Sequence, residues 1–285
     1  MKTIRLPKLL TVGWSNILLT QCDEALAYTG PVTFDLENVK WAAPFGLTVL
    51  SVTLAKCLEQ GRKVFYSPPT EPGLRKYLNR IGFRYHFLRG GPVRHRQTSL
   101  ELRCLRGVDP GCSEALVDLI SSSFSLSEDA RYEMRTHLNE LMTNGFDHSE
   151  STVGCYVCAQ WYPARGNLRI SFADGGIGIR SSLNDSGKYG KIKSDDDAIR
   201  MAIKPGVTTR KKQLGGFGLD YMRRYVRRNH GTLTMLSGNT KINFYSNKIE
   251  HKPQPCSYSG AIVDIKISPR TATPKRERRE PDDLF

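Results

Sequence analysis

The chain has 285 residues, enough for one large domain or two modest ones, and with 39% hydrophobic and 25% charged residues it can bury a core. Its longest apolar run, 45–55, holds two Thr and one Ser and stops at Lys56; no charged-then-apolar signal opens the chain, so neither a membrane span nor export is expected. A net charge of +14 favours phosphate-bearing partners, and seven cysteines in no dense framework fit a reducing, cytoplasmic compartment.

In chain order, the first 30 residues carry no clear signal and stay unassigned. Residues 32–36 alternate as a strand does. After Pro44, Leu47, Leu50, Leu54 and Leu58 recur at helical spacing, and Gly61 supplies a stop. A second strand is predicted over 63–66, a helix over 72–82 with proline in its first turn, and a short strand over 83–88. This strand and helix alternation predicts a small α/β unit at 31–88.

Residues 89–112 read as a basic linker. Nine Lys or Arg lie between Arg75 and Arg106 against the single acid Glu101. Helices follow over 113–123 and 127–148, the second with Glu128 and Asp129 in its first turn, where the helix dipole favours acids. Strands are predicted over 153–161 and 167–173. Within the first, Cys155 and Cys158 are three apart and so point to opposite faces. Then come a long irregular segment, a helix over 220–228 and a last strand pair ending near residue 268. The tail, 269–285, is mixed charge and proline with no apolar face and is expected to be disordered.

Three places carry chemistry. Glu140, Asn144 and His148 fall at i, i+4 and i+8 on one helix face. A carboxamide there can offer its oxygen to Mg²⁺, and a carboxylate one turn away can orient or deprotonate a water. A solvated polar face accounts for the same spacing. Next, the strand ending at Asp174 runs into Gly175, Gly176 and Gly178, so backbone can approach a ligand closely, and the carboxylate can accept from an exocyclic amine such as that of adenine. Neither a continued dinucleotide fingerprint nor a Gly-Lys-Ser/Thr loop is present. Finally, Gly215, Gly216 and Gly218 lead into a helix N-terminus behind Arg210, Lys211 and Lys212, an arrangement suited to anions. The polar stretch 180–213 between the two glycine clusters reads as a mobile lid.

The order of Glu140 and Asn144, then Asp174, Gly176 and Gly178, then a basic lid, then Gly216, Gly218 and Leu219 resembles the nucleotide-binding boxes of the GHKL superfamily, over about 113–268. The resemblance implies a Bergerat-type α/β sandwich (α+β), with ATP and Mg²⁺ as cofactors. In it Asn144 binds Mg²⁺, Asp174 reads adenine, and Glu140 is the catalytic residue of a slow ATPase. Asp147, Gly176, Gly178, Gly216, Gly218 and Leu219 then belong to the nucleotide site, with Thr208, Thr209, Lys211 and Lys212 near the phosphates. The segment 31–88 resembles a STAS domain, through 35–47 and 77–83. That similarity implies a protein partner received through the STAS-like part. Pro44 and Phe45 stand before Gly46 where phospho-switched members carry a serine, so the usual switch has no acceptor here.

Alternatives differ in class. A serine protein kinase of the anti-sigma type shares the same boxes. A sensor histidine kinase would need a phosphoacceptor His on a dimerising helix pair, and His86, His95 and His137 do not stand on one. A nucleic-acid binder would use the basic linker and Arg223, Arg224, Arg227 and Arg228, and a scaffold would bind ATP without turnover. A homodimer is compatible with all of these.

Overall fold

A computed structural model describes residues 1–83, 98–124, 126–147, 149–209 and 215–268, with the backbone alone at 146 and 147. The strand over 83–88, His148, Lys211, Lys212 and the tail 269–285 thus fall wholly or mostly outside the described residues. Within them the chain is a mixed α and β protein with both parallel and antiparallel sheets.

The first 30 residues, unassigned from sequence, contribute β1 (Lys2–Arg5), β2 (Leu9–Leu10) and α1 (Ser15–Ala27). Strand β1 pairs in parallel with β3 (Val32–Asp35), which pairs in parallel with β5 (Val64–Ser67), giving a three-stranded sheet. Short β2 pairs with β4 (Trp41–Ala42). Helix α2 (Pro44–Glu59) and helix α3 (Pro72–Arg80) complete this N-terminal unit. Proline opens both helices, at a position where its missing N–H is no loss.

Part of the expected basic linker is instead structure. Residues Ser99–Leu105 form β6, and α4 (Pro110–Phe124) starts before the linker was expected to end. Helix α5 is Glu128–Asp147, followed by β7 (Cys155–Tyr162) and β8 (Asn167–Asp174). The expected lid also departs from a structureless segment: α6 (Gly178–Asp185) and α7 (Asp195–Ala202) fold there, sharing a small core of Leu183, Ile192 and Ala198. Ser194 caps α7 by accepting from the Asp197 N–H at 3.0 Å, and Asp195, Asp196 and Asp197 fill its first turn. Helix α8 (Gly218–Arg228), β9 (Thr232–Tyr245) and β10 (Ile249–Ile267) close the described chain.

Strands β6, β7, β8, β10 and β9 form, in that order, an antiparallel five-stranded sheet. Alternation gives it two faces. On the front, Val157, Ile170, Met235 and Ile265 pack with Leu116, Ile120, Met134, Leu138, Met222 and Val226 from α4, α5 and α8. On the back, Tyr156, Cys158, Ala173 and Ile262 share a core with α1, α2 and the three-stranded sheet. Cys155 and Cys158 accordingly lie in different cores.

The two halves are therefore one packed body. Every residue from 44 to 54 is buried, so α2 is covered all round over its first three turns, between its own small sheet and the back of the large one. The Thr48 and Ser171 hydroxyls are hydrogen-bonded across this junction at 3.0 Å. Lys241 Nζ donates to Ser15 Oγ at 2.6 Å and to the Val12 carbonyl at 3.3 Å, tying α1 to β9. Among the described residues no helix is long and apolar enough to cross a membrane.

Candidate functional site

A cavity of about 120 Å³ lies between the front of the sheet and α5, α6 and α8. Of the residues singled out from sequence, Glu140, Asn144, Asp174, Gly178, Thr208, Thr209, Gly216 and Leu219 line it. They come from segments spread over some 80 positions and meet because β8 ends beside α5 while the chain returns through α8. Gly176 and Gly218 do not line it but pack against Ser149 and Glu140, which do. Asp147 closes α5, and only its backbone is described.

Asp174 ends β8 with 4% of its surface exposed. Its Oδ1 accepts from the Gly176 N–H at 2.9 Å and its Oδ2 from the Ala261 N–H at 3.3 Å, while its carbonyl accepts from the Tyr258 hydroxyl at 2.8 Å. Burial pushes the carboxyl up to about 7, against the lowering effect of those two N–H groups and of the Lys56 ammonium. Burial outweighs both, so this acid titrates near neutrality.

The glycines after Asp174 are demanded by sterics. A Cβ on Gly176 would collide with the Ser149 carbonyl, which itself accepts from the Ile177 N–H at 2.7 Å. Gly178 has φ of 81°, a left-handed conformation that begins α6. The next N–H, of Ile179, donates to Ser237 Oγ at 2.9 Å, and that hydroxyl donates to the Gly260 carbonyl at 2.9 Å. The turn is thus fixed on both sides before any ligand arrives.

Glu140 is held by backbone donors. Its Oε1 accepts from the backbone N–H of Gly216 and from that of Phe217 at 3.0 Å, immediately before α8. Burial pushes Glu140 up, but the His137 ring, with Nδ1 3.9 Å from Oε2, and the N–H groups of Gly216, Phe217 and Gly218 outweigh it, holding the carboxyl below the usual glutamate range. A helix N-terminus attracts anions, and here the protein supplies its own. The His137 ring stacks on Tyr221 with centroids 4.0 Å apart, fastening α5 to α8 at this point.

The end of the lid segment is also built in. The Tyr189 hydroxyl accepts from the Thr208 N–H at 2.9 Å and lies 3.1 Å from its carbonyl, to which Lys188 Nζ also donates at 3.2 Å. Gly206 donates to the Gly216 carbonyl at 3.0 Å, and Gly216, at φ of 86°, packs so closely on Val207 that no Cβ fits. On the far side Asp195 holds Arg180 at 3.1 Å and the Asn239 N–H at 3.0 Å, and Asp196 meets His251 Nδ1 at 2.5 Å. These contacts pin α6 and α7 to the β9–β10 hairpin.

Sequence reasoning missed the apolar wall, Leu141, Phe172, Ile179, Met235 and Val263, and the polar Ser149 and Ser182. Met235 and Val263 lie on the inward face of alternating strands, a signal that was readable once the register was known. Ser149 follows helix α5 and gives no local signal. Chemically, the cavity offers an apolar wall, one buried carboxyl, a carboxamide on α5, and a glycine turn at a helix N-terminus. Among models of known protein families and among curated protein sequences, none matches this chain.

Proposed function

We propose that this chain is a regulatory Mg-ATP-binding protein of the GHKL type with a STAS-like N-terminal unit. The observation that carries the reading is the meeting of Asp174, Asn144 and Gly216 around one cavity although the sequence keeps them far apart. Asp174, ionised, would accept from the adenine amine while the apolar wall holds the ring. Phosphates would extend toward Thr208, Thr209 and the N-terminus of α8.

Mg²⁺ suits the donors present. Among the described residues no cluster of three His, Cys, Asp or Glu can hold a metal. Mg²⁺ commonly relies on phosphate oxygens and water with few protein ligands, and Asn144 would be the one supplied here. When bound, the ion would neutralise phosphate charge. Glu140 with its carboxyl held low is a weak base, so turnover would be slow until phosphate displaces it from Gly216 and Phe217. A protein partner is assigned to the N-terminal unit on its STAS-like character. Because the first turn of α2 is buried, such a contact would use another of the unit's surfaces.

Calorimetric titration of ATP with Mg²⁺, alongside phosphate release, tests this in wild type and Asp174→Asn. Binding by wild type and its loss in Asp174→Asn is the expected pattern. Equal affinity of the two proteins, or no binding by wild type, overturns the reading.

A further inference from the structure

The nucleotide-site turn touches the N-terminal unit directly. The side chain of Lys56, in the last turn of α2, lies flat against Gly175, where an added Cβ would collide with Lys56 Cε and stand 2.9 Å from Val52 Cγ1. Its ammonium donates to Ser259 Oγ at 3.0 Å and lies 3.5 Å from the Ser259 carbonyl. Ser259 Oγ donates onward to the Gly176 carbonyl at 3.0 Å, and the Gly176 N–H donates to Asp174 Oδ1 at 2.9 Å. A path of hydrogen bonds, joined through the Gly176 backbone, thus runs from α2 to the buried carboxylate in the cavity wall.

We propose that Lys56 is a positioning residue of the adenine-reading turn, through which the N-terminal unit sets nucleotide affinity. The inference rests on the nucleotide reading of Asp174. Two effects combine. The chain through Ser259 fixes the Gly175–Gly176 backbone, and the ammonium behind the turn favours the ionised carboxylate that accepts from an exocyclic amine. The interaction is mutual: burial lowers the Lys56 ammonium, while the charges of Asp174 and Glu59 hold it up. Glu59, one turn along α2, is itself held by the Thr152 hydroxyl at 2.8 Å. Among the described residues the other titratable groups facing Asp174 are the Tyr258 hydroxyl from β10 and the Cys155 thiol from β7, both raised far above their usual ranges by burial. Both are therefore neutral, and among the described residues Lys56 is the cation that acts on the carboxyl. By linkage, whatever moves α2 changes nucleotide affinity, and nucleotide changes the seating of α2 to the same degree.

The test uses the full chain and ATP with Mg²⁺, titrated from pH 5.5 to 8.5, for wild type, Lys56→Met, Lys56→Arg and Ser259→Ala. Affinity in wild type should decline as pH falls through about 7, where Asp174 titrates. In Lys56→Met the midpoint should move up by about one pH unit, which weakens binding about fivefold at pH 7. Lys56→Arg should restore most of the wild-type profile. A purely structural role would weaken binding equally at every pH, and an unmoved midpoint in Lys56→Met overturns the inference while leaving the nucleotide reading intact. If wild type binds no adenine nucleotide, that reading fails and this one with it. Should Lys56→Met lose its circular-dichroism fold signal, Ser259→Ala decides: an upward midpoint supports the chain of contacts, and an unchanged one refutes it.

Discussion

Asp174→Asn should stabilise the protein in alkaline solution while removing its ligand binding. Burial lifts the Asp174 carboxyl from an ordinary 3.8 to about 7. Between those values the folded protein holds a proton that the unfolded chain has released, so this group's contribution to stability falls as pH rises and the penalty is complete above pH 7. At 1.36 kcal/mol per tenfold change the full penalty is about 4 kcal/mol. Asparagine abolishes it but presents an NH₂ where Gly176 or Ala261 needs an acceptor, returning about 1–3 kcal/mol. The net gain at pH 8 is therefore about 2 kcal/mol, or roughly 4–8 °C in Tm. Urea unfolding of both proteins from pH 5 to pH 8, followed by circular dichroism, isolates the effect because other titrations cancel in the difference. That difference should swing by about 3 kcal/mol across the range in favour of the variant. A pH-independent difference would refute the account of a carboxyl buried against its own ionisation.

Glu140→Ala frees the N–H groups of Gly216 and Phe217, so ATP should bind several-fold tighter by calorimetry while phosphate release disappears; weaker binding would show that Glu140 supports the ligand and does not compete with it. Gly176→Ala forces a Cβ into the Ser149 carbonyl and should lower stability by about 1–3 kcal/mol in a urea titration, with nucleotide affinity falling too; an unshifted midpoint would mean the Ser149 segment yields freely. Lys241 is lowered to about 8 by burial and by Lys252, against Glu250. From there to its ordinary 10.5 the folded protein holds fewer protons than the unfolded chain, so stability gains from this group as pH rises, and Lys241→Met should lack that gain when unfolding at pH 7.5 and pH 10 is compared.

The glycine turn after Asp174, the polar face of α5 and the glycine-led start of α8 were legible because each depends on local chemistry: missing Cβ atoms, a four-residue period, free N–H groups. What was not legible depends on distant partners. In β1 the burial pattern leaves only Ile4 inside, too little to set a period in four residues. In β6 a register shift between Leu100 and Arg103 places Leu100 and Leu102 in different cores, so the alternation dissolves among charged neighbours. Within α2 the leucine spacing revealed a helix but not its second buried side. Thr48, Ser51 and Thr53 read as interruptions of an apolar run, yet all are buried, and Thr48 faces the Ser171 hydroxyl of a strand more than 100 residues away. The two helices inside the lid segment were not legible for a different reason. Its helices are eight residues each, and their stability comes from a three-residue core and from aspartates that grip the β9–β10 hairpin.

The two carboxylates in the cavity are tuned in opposite directions, and together they make a case for binding ahead of turnover. Asp174 is raised toward neutrality by burial, so in the proposed reading ligand contact and the nearby charge of Lys56 would tip its ionisation. Glu140 is lowered by backbone N–H groups at a helix start, so it is already ionised and already occupied. On that reading an incoming phosphate would compete with Glu140 for the same donors, and on losing them the carboxyl would regain basicity beside the phosphate. In the proposed reading the group that would activate water becomes competent only as the ligand arrives. Removing Glu140 should then separate the two events, leaving tight binding without hydrolysis, and a variant that still released phosphate would assign the base to another residue.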